Sequence, residues 1–246
     1  GCRWDAAKHI ALPSEECNFW PTVTQQGLYH YGEILTGPDD RSTGNEDLMK
    51  EYTDYMTVTD SDYGKELRDS FNSGKAPESS GNWVAKGISA DKLLYWGESH
   101  DTWSNNQDYG YSNQMSQNVI DRAYAVAASR NQVTALYFSR PSSKVKTDIK
   151  AGVKGSTHFT SNEVAEVNRF HNAMIGQKDS YAMSNNCSVV TREQGAVIVK
   201  GSGSGSVTVE NAGNLTKPGT YTDQVSGNKF TVTSNEIKGE IGSSGI

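Results

Sequence analysis

The sequence predicts an α/β chain in which five parallel βα units precede a small antiparallel β domain. Two observations carry that expectation. Up to about residue 178, short apolar runs alternate with longer amphipathic stretches; from 179 to 246 the pattern becomes short alternating strands separated by Gly, Asn and Ser. The apolar runs begin near residues 1, 27, 52, 92 and 133, close to the roughly 30-residue spacing of successive βα units. This rhythm suits either a doubly wound sheet or part of an eight-stranded barrel. The Gly-rich phosphate loop that usually marks the doubly wound sheet is missing from the sequence.

Each element has its own signal. The strand-like runs are Gly27 to Leu35, Tyr52 to Val58, Lys92 to Trp96 and Val133 to Phe138. Asp60 and Ser61 open a helix that carries Leu67 and Phe71, and a second helix places Met115, Val119, Ile120, Ala123 and Val126 roughly on one face. In a third, Thr160 and Glu163 form a capping box ahead of Val164, Val167, Phe170 and Met174. Later strands are expected at Ala196 to Val199, Ser206 to Glu210 and Lys229 to Thr233, with a hairpin turn at Gly201 to Ser206.

Composition excludes several classes. The 246 residues hold 23 Lys+Arg against 29 Asp+Glu, a net charge of −6 that argues against nucleic acid as a partner. No apolar run approaches the roughly 20 residues that span a bilayer. Cys2, Cys17 and Cys187 lack metal-ligand spacing, so they read as free or buried thiols, with a Cys2–Cys17 pair left open.

Polar residues end three of the strands. Asp5 follows Cys2-Arg3-Trp4, Glu33 follows Tyr31-Gly32, and His100-Asp101 follows Trp96-Gly97-Glu98-Ser99. In a βα barrel those ends converge on one pocket, although an acid after a strand is more often a turn or helix cap. Trp4, Tyr29, Tyr31, Trp96 and Trp103 supply rings of the kind that stack on sugars. Arg3 and Asp5, two apart on a strand, share a face, and the guanidinium would keep Asp5 ionised as a nucleophile needs. Glu33, arriving amid Tyr29, Tyr31 and Ile34, could be desolvated and held protonated as a general acid. Two carboxyls pushed apart in this way suit glycoside hydrolysis.

At this point the motifs resemble a known family. Gly1-Cys2-Arg3-Trp4-Asp5-Ala6-Ala7-Lys8-His9 resembles the fourth-strand stretch of the α-amylase family. Tyr31-Gly32-Glu33-Ile34-Leu35 resembles its fifth-strand stretch, and Glu98-Ser99-His100-Asp101-Thr102 its seventh-strand stretch, in the family's order. The resemblance implies strands 4–8 of a TIM (β/α)8 barrel over residues 1–178, followed over 179–246 by a Greek-key β-sandwich domain. It also implies retaining hydrolysis of internal α-1,4-glucosidic bonds in starch or maltooligosaccharides. Asp5 would be the nucleophile, Glu33 the acid and base, and Asp101 a third acid holding the distorted sugar. Arg3 would orient Asp5, and Lys8, His9 and His100 would contact substrate. The His9 carbonyl would help hold Ca²⁺; chloride dependence is not expected, because no second basic ligand is evident around Thr102 to Asn105. The family's earlier barrel strands would precede Gly1, so the chain is expected to be a C-terminal portion, inactive and poorly soluble alone. By resemblance it would act as a secreted monomer without membrane partners. A transglycosylating or maltooligosaccharide-forming relative and a non-catalytic glucan-binding protein are the alternatives. His30, His158 and His171 read as structural or surface groups, with the His158 loop able to border the pocket.

Overall fold

A computed structural model describes residues 1–24, 27–35, 46–104 and 112–246. Strands β1 (Cys2–Trp4), β2 (His30–Gly32), β3 (Thr57–Thr59), β4 (Leu93–Trp96) and β5 (Thr134–Leu136) form one parallel sheet in chain order. Its helices are α1 (Phe19–Val23), α2 (Glu46–Tyr52), α3 (Ser61–Asn72), α4 (Asn82–Ala85), α5 (His100–Ser104), α6 (Gln117–Ser129) and α7 (Asn162–Ala173). A doubly wound sheet reverses its strand order at a switch point; among the described residues this sheet keeps chain order throughout, which fits a part-barrel better. The sheet also curls. In a flat sheet β2 and β5 would lie about 14 Å apart, yet the Tyr29 hydroxyl, just before β2, donates to Thr134 Oγ1 on β5 at 2.9 Å. Within the described residues the sheet ends at β1 and β5 without closing.

The strands are shorter than the apolar runs that signal them. Tyr52, for instance, ends α2 and is buried there, and its hydroxyl donates to the Ile10 carbonyl at 2.9 Å. Every residue of β3 and β4 is buried, the continuous burial usual for strands inside a parallel sheet. Helix α3 begins where the Asp60 carboxylate accepts the Tyr63 N–H, and it buries Tyr63, Leu67 and Phe71. Ser116 caps α6 in the same way. That helix is not one-sided: all ten residues from Ile120 to Ser129 are buried, because α6 is packed against β4, β5, α3 and α7 and also against β7 and β8 of the antiparallel part. The capping box at α7 does not form. Ser161 occupies the N-cap position, and the Thr160 hydroxyl turns back to the Thr157 carbonyl.

Antiparallel structure begins at β6 (Ser180–Ser184), which pairs with β7 (Cys187–Arg192), itself paired with β8 (Gly195–Lys200). A second sheet holds β9 (Gly205–Glu210), β10 (Gly219–Thr222), β11 (Lys229–Val232) and β12 (Glu236–Ile241) in the order β10-β11-β12-β9. Placing β9 beside β12 gives this sheet a Greek-key order. The expected hairpin at Gly201 to Ser206 is absent, since β8 and β9 do not pair and the segment instead crosses from one sheet to the other. Val189, Val207, Val209, Phe230, Val232, Ile237 and Ile241 fill the space enclosed by the two sheets.

Two arginines join the parts. Arg192, almost fully buried, donates to the carbonyls of Ser129, Met174 and Gln177 at the C-terminal ends of α6 and α7. Arg122 on α6 donates to the carbonyls of Lys200, Gly203 and Ser244.

Candidate active site

Asp5, Glu33 and Asp101 follow β1, β2 and β4, at the C-terminal edge of the parallel sheet. Strand β1 pairs with β2 so that Arg3 lies opposite Tyr31, and the Glu33 N–H continues the ladder to the Trp4 carbonyl at 3.0 Å. The Arg3 guanidinium bridges the first two acids, with Nη1 2.6 Å from Asp5 Oδ1 and Nη2 3.1 Å from Glu33 Oε2. Ala6 takes a left-handed backbone, φ 45°, uncommon for a residue with a side chain, and its N–H donates to the same Glu33 oxygen at 3.1 Å.

The two carboxyls occupy different surroundings. The Asp5 side chain is 76% exposed and that of Glu33 only 16%. Arg3, by hydrogen bond and by charge, lowers the Asp5 carboxyl. Burial raises the Glu33 carboxyl against the opposing pull of the Ala6 N–H and the Arg3 charge. The negative charge of Asp101 also raises Glu33, and His100 helps to lower Asp5, so His100 and Asp101 face the other two acids. His100 Nε2 and Asp101 Oδ2 are 3.3 Å apart at the start of α5. Lys8 is buried within the short turn Ala7–His9, whereas His9 is exposed.

The aromatic surface is smaller than the sequence suggests. Trp4 packs edge-on to Phe19 and Trp20 and stacks on His30. Trp96 and Trp103 are buried, each with an arginine over its ring, Arg68 and Arg140 respectively. Tyr29 and Tyr31 retain solvent access, their centroids 6.3 Å apart.

Sequence reasoning gave no role to Glu98 or Arg140. Glu98, three residues before Asp101, is clasped by Arg140 after β5: Nε to Oε2 at 2.8 Å and Nη2 to Oε1 at 3.0 Å. Arg140 Nη2 also donates to the Ser112 and Met115 carbonyls, both at 3.1 Å. The turn that presents His100 and Asp101 is thereby tied to the neighbouring strand. Asn105, part of the segment read for chloride, lies outside the described residues. Cys2, Cys17 and Cys187 are free thiols. No helix among the described residues is long and apolar enough to cross a membrane.

Acids gathered at the C-terminal ends of β1, β2 and β4 match the arrangement expected of a glycoside hydrolase of the βα-barrel class. Comparison with known proteins narrows that class. The chain is 31% identical over 214 residues to an α-amylase of Clostridium acetobutylicum, covering 81% of this chain and 26% of that protein. It is 26% identical to an α-amylase of Butyrivibrio fibrisolvens, covering all of this chain and 29% of the relative. Among solved structures, a mutant α-amylase I of Eisenia fetida in complex with maltohexaose superposes with a TM-score of 0.71 at 16% identity, covering 100% of this chain and 60% of that one. No protein-family profile matches the chain. The chain is similar to α-amylases over most of its own length, and it spans under a third of the length of these two curated relatives.

Proposed function

We propose that the protein hydrolyses internal α-1,4-glucosidic bonds of starch or maltooligosaccharides with retention of configuration, Asp5 acting as nucleophile and Glu33 as acid and then base. One observation carries this reading: a single guanidinium spans both carboxyls, while exposure to Arg3 lowers Asp5 and burial raises Glu33. An ionised Asp5 attacks the anomeric carbon, and a protonated Glu33 gives its proton to the departing glycosidic oxygen. Glu33, now a carboxylate, takes a proton from the water that releases the sugar from Asp5. Asp101 and His100 hold hydroxyls of the distorted ring, Arg3 orients Asp5, and Lys8 and His9 meet the sugar on the leaving-group side. Residues 1–178 would be strands 4–8 of the barrel and residues 179–246 its β-sandwich domain, in a secreted monomer. The maltohexaose held by the Eisenia fetida relative is consistent with a glucan substrate.

Calcium fits the described residues poorly. It takes about six to eight oxygen ligands, whereas His9 could offer one carbonyl, and no group of three or more carboxylate, imidazole or thiol side chains gathers around it among the described residues. No step above passes through the ion.

The test is a mechanism-based fluoroglycoside applied to the protein at the length its gene encodes. Covalent label on Asp5, lost in Asp5→Asn, is the expected result. Glucan binding without label would instead favour a lectin-like role, and label on another carboxylate would overturn the assignment.

A further inference from the structure

We infer that Asp121, His158 and Glu163 form a binding site for a zinc-class divalent transition metal. His158 Nε2 lies 2.7 Å from Asp121 Oδ2 and 3.8 Å from Glu163 Oε1. One ligand atom from each of the three lies within 4.8 Å of the others, and no other such trio of His, Cys, Asp or Glu occurs among the described residues. The side chains come from three places: Asp121 from α6, Glu163 from the first turn of α7, and His158 from the turn that ends the long loop after β5.

Two features point to a cation rather than to a plain hydrogen bond. Asp121 is almost wholly buried, and within the described residues its ion pair and that of Glu163 are with His158 alone, not with any Lys or Arg. Two carboxylates thus share one imidazole. The second feature is orientation. Asp121 Oδ1 is held by Gln117 Nε2 at 3.0 Å and by the Tyr137 hydroxyl at 3.4 Å, which turns Oδ2 toward the other two ligands as outer-shell donors do around a bound metal.

The donor set selects the metal class. One imidazole nitrogen and two carboxylate oxygens suit zinc, whereas calcium would require more oxygens. Tetrahedral ligands about 2.0–2.2 Å from zinc stand roughly 3.3–3.5 Å from one another, so the 2.7 Å contact has to open by about 0.7 Å and the 3.8 Å one to close by about 0.4 Å, with the Asp121 and Glu163 oxygens, no more than 4.8 Å apart, settling at the same spacing. His158 and Glu163 keep 30% and 22% of their side-chain surface exposed, leaving the fourth position for water. Metal binding would clip the loop after β5 to the N-terminal turns of α6 and α7.

Calorimetric titration of the metal-free protein with zinc chloride tests this independently of glucan chemistry. The expected result is one site per chain, with Tm rising about 5–10 °C at zinc 100-fold above Kd. Glu163→Gln keeps the His158–Asp121 contact and so preserves the metal-free Tm, but it should weaken zinc binding at least tenfold, as should His158→Ala. Cys17→Ser should bind like the parent. Equal zinc affinity in the parent and in Glu163→Gln, or no zinc-dependent rise in Tm, would overturn the site.

Discussion

Replacing Arg140 with Ala should destabilise the protein by about 3–5 kcal/mol, the usual cost of stranding one member of a buried ion pair. The structure sets that figure near the upper end of single substitutions. The side chains of Arg140 and Glu98 are 11% and 1% exposed, their pairing is bidentate, and the same guanidinium satisfies two backbone carbonyls and lies over Trp103. Without Arg140, the Glu98 carboxylate remains in a site that water reaches poorly. For a chain of this size each kcal/mol corresponds to about 2–4 °C, so Tm should fall by roughly 6–20 °C. Urea unfolding followed by tryptophan fluorescence measures the loss directly. Combining Arg140→Met with Glu98→Gln removes both charges and should recover at least half of it. The reasoning fails if Arg140→Ala costs less than about 1 kcal/mol, or if the double variant loses as much as the two single variants added together.

Other outcomes follow from the same structure. Burial raises the Asp60 carboxyl to about 6, so its contribution to stability is full below its unfolded value near 3.9 and is lost as pH rises through 6. Asp60→Asn should flatten the stability profile between about pH 4 and 6, and an unchanged slope in unfolding measured across that range would refute the assignment. Arg3→Met removes the cation common to Asp5 and Glu33, so both carboxyls should titrate higher; the acid limb of the pH-rate profile should move upward, and an unmoved limb would exclude Asp5 as the group that sets it. Arg192→Ala strands three helix-end carbonyls at a cost of at least about 2–3 kcal/mol, which limited proteolysis should register as faster cleavage near residues 174–180.

Much of this arrangement was legible because the signals were local. Strand spacing announced the βα units, and the acids after Trp4, Gly32 and Ser99 lie at the C-terminal edge where β1, β2 and β4 deliver them. What escaped depended on contacts between distant segments. The all-round burial of α6 arises because β8 covers the side that an isolated βα unit would leave wet. Trp96 and Trp103 look like sugar platforms in sequence, but Arg68 and Arg140 reach them from other elements and draw them into the core. Ala6 gives no warning of its left-handed backbone, since Gly or Asn is the usual sign. Gly201 to Ser206 has turn chemistry that cannot tell a hairpin from a passage between sheets, because only the pairing partners of β8 and β9 distinguish them.

The junction held by Arg122 and Arg192 has an evolutionary consequence. Nearly all of its acceptors are main-chain oxygens, which every amino acid supplies. Substitutions at Ser129, Met174, Lys200 or Ser244 therefore leave the recognised atoms in place so long as the backbone keeps its path. Side chains on the appended sheets can drift extensively while their seat on the helices is inherited unchanged, provided that the two arginines persist.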